Sequence, residues 1–320
     1  MQTIKFKNLT SLSSIAKNFG IQPRYLKQLV NVDDNSSSFI KMKIPKKNPK
    51  RSGFRIVYQP EWFISDFHKN ILSEINHFLV RPNQNMFIHD SAHGFISNKT
   101  TLTNAMMHLD KKHLLQVDIK NFFESIPIEE IVKVFKKLEC IDEVAEILTK
   151  ACSVNNLLKE GLNTSPMLAN LFFYDIDIKL ESLAAKFHSV YTRYADDITF
   201  SSNEELRKTA LLSEIKDIIS LYSLELNDKK TRYSSFGQSQ YVTGLSISNT
   251  IQPRIPRQIK KQLRQELYYL SKFGFTSHFE KRDENHVQGH LRLKGWLDYV
   301  LSVEPTLGKT MMEIYEKVDS

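Results

Sequence analysis

Apolar residues recur every three or four positions through Ser65–Leu79, where Phe67, Ile71, Ile75 and Phe78 mark one helical face. The same period predicts helices over Ile128–Leu138, over Ser165–Phe187 with a start near Pro166, and over Glu204–Tyr222. Two more are expected over Pro256–Lys272 and His286–Ser302. Phe54–Pro60 alternates as a strand and ends at a proline, which cannot donate to a ladder. Short apolar runs predict further strands at His113–Ile119, Ser189–Arg193 and Ile198–Ser201, and others flank the turn Asn249-Thr250. Leu12–Val30 carries two short helical patterns around Phe19-Gly20-Ile21. The spacing of Ala16, Ile21, Leu26 and Leu29 suits a helix–turn–helix or a plain helical hairpin, and no basic recognition face favours the former. Asn31–Ser38 is polar and Ser-rich, a linker by composition. Mixed strands and helices in this order predict an α+β fold with helical flanks.

Composition adds scale and charge. A chain of 320 residues, 41% of them hydrophobic, buries a core in one large or two to three smaller domains. Its net charge of +8 suits a polyanionic partner. The cations gather in Lys41–Arg51 and Arg254–Arg264. Cys140 and Cys152 have neither zinc spacing nor a disulfide framework, so packing and a reducing cytoplasm are expected. His89, His93, His108 and His113 share no helix face, which argues against zinc. No stretch is long and apolar enough to span a membrane, and no signal-peptide core opens the chain; no membrane partner is expected.

The chemistry concentrates in Tyr194-Ala195-Asp196-Asp197, two acids between two predicted strands. Asp pairs are common in turns, where the side chain bonds nearby backbone. A third acid changes that reading. Asp118 ends the apolar run Leu114–Val117, and three carboxylates on neighbouring strands can hold two hard cations. Such a pair activates a hydroxyl and stabilises departing pyrophosphate in nucleotidyl transfer.

Tyr-Ala-Asp-Asp resembles the catalytic tetrapeptide of reverse transcriptases, and further segments follow that family's order from about Arg51 to at least Leu245. Asp118–Ile126 resembles the segment with the first catalytic Asp, and the resemblance makes Phe123 the aromatic that excludes ribonucleotides by sterics. Lys50-Arg51 and Arg55 match the basic positions of the fingers that grip triphosphate. Gly161–Asn170 resembles the block beside the nucleotide, with departures: Glu160 stands for the usual Gln, and Leu162-Asn163 for Ala-Pro. An ionised Glu accepts hydrogen bonds but cannot donate them. Leu224–Thr231 resembles the block after the acids, where Lys230 approaches triphosphate or braces the acids.

Two more segments narrow the family. Asn104-Ala105-Met106-Met107-His108 and Val242-Thr243-Gly244 match the Asn-Ala-x-x-His and Val-Thr-Gly marks of retron reverse transcriptases. The resemblance implies a right-hand fold. Residues 1–48 would form a helical extension and linker, 49–240 fingers and palm, and 241–320 a helical thumb and RNA-recognition region. It implies Asp118, Asp196 and Asp197 as ligands of two Mg²⁺ ions, deoxynucleoside triphosphates as substrates, and a cognate structured non-coding RNA as template and primer. Priming from an RNA 2′-hydroxyl would give a branched RNA–DNA hybrid, made in a bacterial cytoplasm beside an effector protein in antiphage defence. Asn104, His108 and the Val242–Gly244 triplet are then expected at the RNA. So are Arg257, Lys260, Lys261 and Arg264, which flank the stripe Ile255, Ile259, Leu263, Leu267 and Leu270 on an amphipathic helix. Tyr268, Tyr269 and Trp296 either pack in the core or stack on bases, with packing favoured. An intron-type or diversity-generating enzyme, and a catalytically silent nucleic-acid-binding protein, are the rival readings.

Overall fold

The computed structural model describes residues 6–31, 34–45, 53–80 and 88–319. The chain divides into two compact units, one of residues 1–97, 115–200 and 205–232, the other of 98–114, 201–204 and 233–320.

The first unit opens on a helical hairpin, α1 (Leu12–Phe19) and α2 (Pro23–Asn31). Ser11 and Ser14 form a reciprocal capping box at the start of α1. Beneath it Phe19 meets Phe67 edge to face and Phe6 at a tilt of 44°. The Asn31–Ser38 segment, apart from residues 32 and 33, which lie outside the described residues, is not the loose linker its composition suggests. Asn35 is buried, donating to Leu29 O and Ser153 O and accepting from Asn155 N.

An antiparallel hairpin follows, β1 (Phe39–Pro45) and β2 (Phe54–Pro60), with Phe39 opposite Pro60 and Pro45 opposite Phe54. The basic block thus begins as a strand, Lys41 and Lys43 alternating with Ile40, Met42 and Ile44. Helix α3 (Trp62–Leu79) buries Phe67, Ile71, Ile75 and Phe78 as the period requires. Next, in chain order, come α4 (Thr101–Met106) of the second unit and strand β3 (His113–Asp118). The first unit resumes with α5 (Phe122–Ser125), α6 (Ile128–Lys137), α7 (Asp142–Ala151) and α8 (Ser165–Lys186). Strands β4 (Val190–Tyr194) and β5 (Asp197–Ser202), helix α9 (Leu211–Ser220) and strand β6 (Arg232–Ser235) complete the sheet region. The four-stranded sheet has the order β4-β5-β3-β6.

Helix α9 starts seven residues later than its period predicts. Side chains explain this: Ser202 Oγ accepts from Glu204 N, Glu205 Oε1 from Arg207 N, and Thr209 Oγ1 donates to Leu206 O. Local side-chain bonds of this kind hold backbone out of a helix. Cys140 and Cys152 are buried, and burial pushes both thiols up to about 12, so they pack as expected.

The second unit sets α4 beside a two-residue hairpin, β7 (Tyr241–Val242) and β8 (Leu245–Ser246). Its helices are α10 (Arg257–Lys281), α11 (His286–Val303) and α12 (Pro305–Asp319), the last not foreseen. Ile255, Leu263, Leu267 and Leu270 are buried with Phe275, Phe279, Leu293, Leu297 and Val300, which makes the predicted stripe the core. α10 bends at Gly274, whose φ of 73° and ψ of 170° no helix contains. Beyond β8 the expected strand pair around Asn249-Thr250 shrinks to one bridge, Ser246 to Arg254. Asn249 Oδ1 accepts from Ile251 N and Gln252 N and turns the chain instead. Among the described residues no helix is long and apolar enough to cross a membrane.

Candidate active site

Strands β4 and β5 are joined by only Ala195 and Asp196, so the acids sit at a hairpin tip as predicted. Ala195 is buried with φ of 56°, a left-handed conformation that costs an L-residue roughly 1–2 kcal/mol. Ile119 N donates to Asp196 O at 3.1 Å, which ties the tip to the end of β3. Asn227 N donates to Asp118 O at 2.8 Å and Lys120 N to Glu225 O at 2.9 Å, drawing the 224–231 block along the same strand.

This brings Asp118, Asp196, Asp197 and Lys230 together. Asp118 is buried; its Oδ2 accepts from Lys230 Nζ at 2.6 Å, while its Oδ1 is buried without a hydrogen-bond partner. Burial, then the charges of Asp197 and Asp118, push the Asp196 carboxyl up to about 7, against backbone bonding and Lys230. Asp197 reaches solvent, yet lost hydration and the Asp118 charge raise it too, partly offset by Lys230 and Arg232. Among the described residues no three His, Cys, Asp or Glu side chains close into a finished metal cage. The donor chemistry nevertheless fits hard cations. Three carboxylates crowd until their charges disfavour one another, and one buried oxygen has its lone pairs unused.

A brace that sequence reasoning missed holds the tip. Arg193, fully buried, donates from Nε to Asp177 Oδ1 at 2.8 Å, from Nη2 to Asp177 Oδ2 at 2.7 Å and from Nη1 to Asn170 Oδ1 at 3.0 Å. Tyr191 OH donates to Asp177 Oδ1 at 2.6 Å, and the guanidinium lies 4.6 Å from the Phe173 ring centre. Asn170 Nδ2 in turn donates to Gly94 O at 2.9 Å. A Cβ at Gly94 would stand 2.6 Å from Ala195 N, so only glycine lets that segment press against the turn. The one local signal was an arginine immediately before the tetrapeptide.

The nucleotide-side residues are placed as follows. Phe122 is core, while Phe123 is half-buried with its ring centre 6.4 Å from that of Phe95. Arg55 is exposed on β2, across from Ile44. Arg51 lies outside the described residues. Tyr58 N donates to Glu160 O at 2.8 Å, and Gly161 has φ of 99°. A Cβ on Gly161 would meet Tyr58 O and Val57 Cγ1 at 2.5 Å, so β2 requires glycine there.

In the second unit the expected RNA contacts divide. Asn104, His108 and Val242 are buried. His108 Nδ1 meets Ser201 Oγ at 2.7 Å, and Ala105 shares a core with Val242 and Leu245. Thr243 and Gly244 form the hairpin tip, with φ of 47° and 82°, and Thr243 Oγ1 donates to Thr101 O at 2.9 Å. The two marks therefore form one construction: α4 carries the hairpin. Arg257, Lys261 and Arg264 are exposed on α10. Lys260 is not available in the same way, since its ammonium holds Glu304 at 3.0 Å. Tyr268 and Tyr269 are exposed rather than packed.

The acid-tipped hairpin, the strand-end aspartate and this element order define a nucleotidyltransferase palm. The chain belongs to the reverse transcriptase (RNA-dependent DNA polymerase) family, whose sequence model matches residues 44–272. Within that family it is of the retron type, an RNA-directed DNA polymerase with a right-hand fold. It is 29% identical over 276 residues to the retron Ec86 reverse transcriptase of Escherichia coli, covering 86% of this chain and 80% of that protein. To the retron Ec83 reverse transcriptase of Escherichia coli it is 27% identical, covering 84% and 85%. Among solved structures, apo telomerase from Candida tropicalis aligns with 68% of this chain and 55% of its own at 14% identity and a TM-score of 0.46.

Proposed function

We propose that the enzyme copies a cognate structured non-coding RNA into DNA, starting from an RNA 2′-hydroxyl and leaving a branched, RNA-linked product. The observation that carries the catalytic part is the buried, unpartnered Oδ1 of Asp118 beside two carboxyls held above their ordinary range. Asp118, Asp196 and Asp197 would hold two Mg²⁺ ions. Bound there, the ions supply charge for the attacking oxygen and the leaving pyrophosphate. The protein's own part is positional. The Arg193 brace fixes Ala195 and so aims Asp196, and Lys230 compensates Asp118 and lies ready to meet a triphosphate oxygen. Arg55 and Gly161 would flank the incoming deoxynucleotide, and Arg51 would join them. Phe123 would stand against a ribose 2′-hydroxyl; Phe123→Ala is expected to raise ribonucleotide incorporation, read by alkali-sensitive product.

The retron part rests on relatives of that type over most of the chain. Thr243, Gly244, Arg257, Lys261 and Arg264 would contact the RNA, with residues 241–320 serving recognition, 49–240 synthesis and 1–48 as an extension. An effector protein and antiphage defence complete this reading. The test is DNA synthesis by the purified enzyme with the non-coding RNA encoded beside its gene, Mg²⁺ and deoxynucleotides, next to an Asp196→Asn/Asp197→Asn double variant. A branched DNA made only by the wild type supports the whole reading. Linear cDNA from an added primer alone keeps the polymerase and removes self-priming. No synthesis with any template would leave a binding protein.

A further inference from the structure

Trp62 opens α3 with its indole 77% exposed, unusual for the largest apolar side chain. It does not stand alone. Its ring meets Phe63 edge-on at 5.7 Å between centres, and Phe63 stacks on Tyr25 at 4.4 Å and 30°. The Arg24 guanidinium covers the far end, 4.7 Å from the Tyr25 ring centre. This ladder of rings joins α2 to α3 within the first unit and ends in an open indole face.

Beside the indole lies a concavity of about 340 Å³, walled by Gln59, Trp62, Ser65, Lys69, Gly161 and Asn163. That size is at the lower end of small-ligand sites, which span roughly 300–1,000 Å³. Its lining offers amide and hydroxyl groups, and Asn163 is oriented by donating to Ser65 Oγ at 3.0 Å. Asp66 also lines it but pairs with Lys69 at 3.0 Å. Among the described residues lining it these are the two charged ones, so the lining itself is close to neutral.

An exposed indole beside groups that can meet base edges is the chemistry of an unpaired nucleobase, since every base has a face to stack. A duplex offers no such face along its length. We infer that Trp62 is a stacking platform for unpaired bases of single-stranded template RNA, with the Gln59–Asn163 concavity receiving the base edge. The inference rests on the polymerase reading, because a template strand must be single-stranded before it is copied. Gly161 supplies the link: it walls the concavity and also packs against Tyr58 of β2. Near-neutrality carries its own consequence. Stacking dominates, so binding here depends weakly on salt, unlike binding through many phosphate contacts.

The chain has two tryptophans, Trp62 and Trp296, so Trp296→Phe in the full-length protein leaves the indole of interest as sole reporter. Its fluorescence is titrated with a 12-nucleotide oligouridylate, with the same strand in a duplex, and with a proline-rich peptide, at low and moderate salt. Saturable quenching by the single strand, changed less than about threefold in apparent Kd between salts, is expected. In parallel, Trp62→Ala should lower the ratio of kcat/KM on a long template overhang to that on a one-nucleotide overhang by about tenfold, and Trp62→Phe should restore most of it. Primer extension with no single-strand quenching overturns the platform and leaves the polymerase intact. Equal quenching by duplex, or quenching by the peptide alone, also overturns it. Quenching without extension on any template supports the platform and removes the polymerase reading.

Discussion

Each unit carries one tight hairpin with a left-handed non-glycine residue at its tip, and the two are braced in opposite ways. In the first, Ala195 stands over Arg193, Asp177, Asn170 and Tyr191, a fully buried network in which the guanidinium is gripped by both carboxylate oxygens. In the second, Thr243 is held by a single hydroxyl bond to Thr101 O, above the apolar contact of Ala105 with Val242 and Leu245. Under the proposed function, a turn that would aim metal-binding acids gains from rigidity, because small displacements near reacting atoms cost rate steeply. Under the same proposed function, a turn that would present backbone to a large, shaped RNA needs only to stay folded. The density of the brace tracks the tolerance of the task.

The comparison breaks most visibly at Arg193. Arg193→Met leaves Asp177 buried without its cation, a change worth about 3–5 kcal/mol. Urea unfolding should show a loss of that order, and Arg193→Lys should recover only part, since an ammonium cannot span Asp177 and Asn170 together. Wild-type stability in Arg193→Met would mean that the brace is ornamental. Next is Gly94→Ala. The added methyl meets Ala195 N, so the turn or the 91–94 segment must shift. DNA synthesis is expected to fall about a hundredfold for a displacement near 1 Å, while stability falls by only about 1–3 kcal/mol. Activity lost out of proportion to stability marks the turn as a positioning device.

How far these features could be read in the sequence follows from distance along the chain. The tetrapeptide and its strands were legible because hairpin, acids and alternation lie within a dozen residues. The brace was not: Asp177 and Asn170 come from α8, 16 and 23 residues before Arg193, and Gly94 comes from a loop with no period at all. Strand β1 was missed because its alternating lysines read equally well as a basic surface block. The Asn104–His108 and Val242–Gly244 marks were each visible, but their union was not. His108, buried against Ser201, and Thr243, bonded to Thr101 O, meet only in the folded unit. Glu204–Tyr222 shows the reverse, where a readable apolar period lost its first seven residues, about two turns, to side-chain bonds that periodicity does not weigh.

The lighter brace makes smaller predictions. Thr243→Val keeps the shape and the strained φ but deletes the bond to Thr101 O, and about 1 kcal/mol of stability should go. Thr243→Asn, which tolerates φ above zero better, should cost less. Equal losses would mean that strain and hydroxyl do not oppose each other there.

The smallest effect is set by pH, and it separates the units again. In the second unit Arg292 joins α11 to Glu266 of α10 and to Glu284. Burial pushes the Glu266 carboxyl up, but bonds and charge from Arg292, with Arg282 and His278, more than offset it and leave it lowered. Glu284 is lowered mainly by its Arg292 bond. A carboxyl lowered in the folded state binds protons more tightly once unfolded. Its stabilisation is therefore complete above the unfolded value, near pH 4.3, and fades as pH falls through the lower folded value. Acid should thus loosen α10 and α11 below about pH 4, seen as faster amide exchange there, and Arg292→Met should flatten that dependence. The hairpin tip at Thr243 belongs to the same unit, so its exchange should rise with theirs. Exchange at Ala195 rising in step with it, under the same titration, would contradict the claim that the two turns are held by independent means.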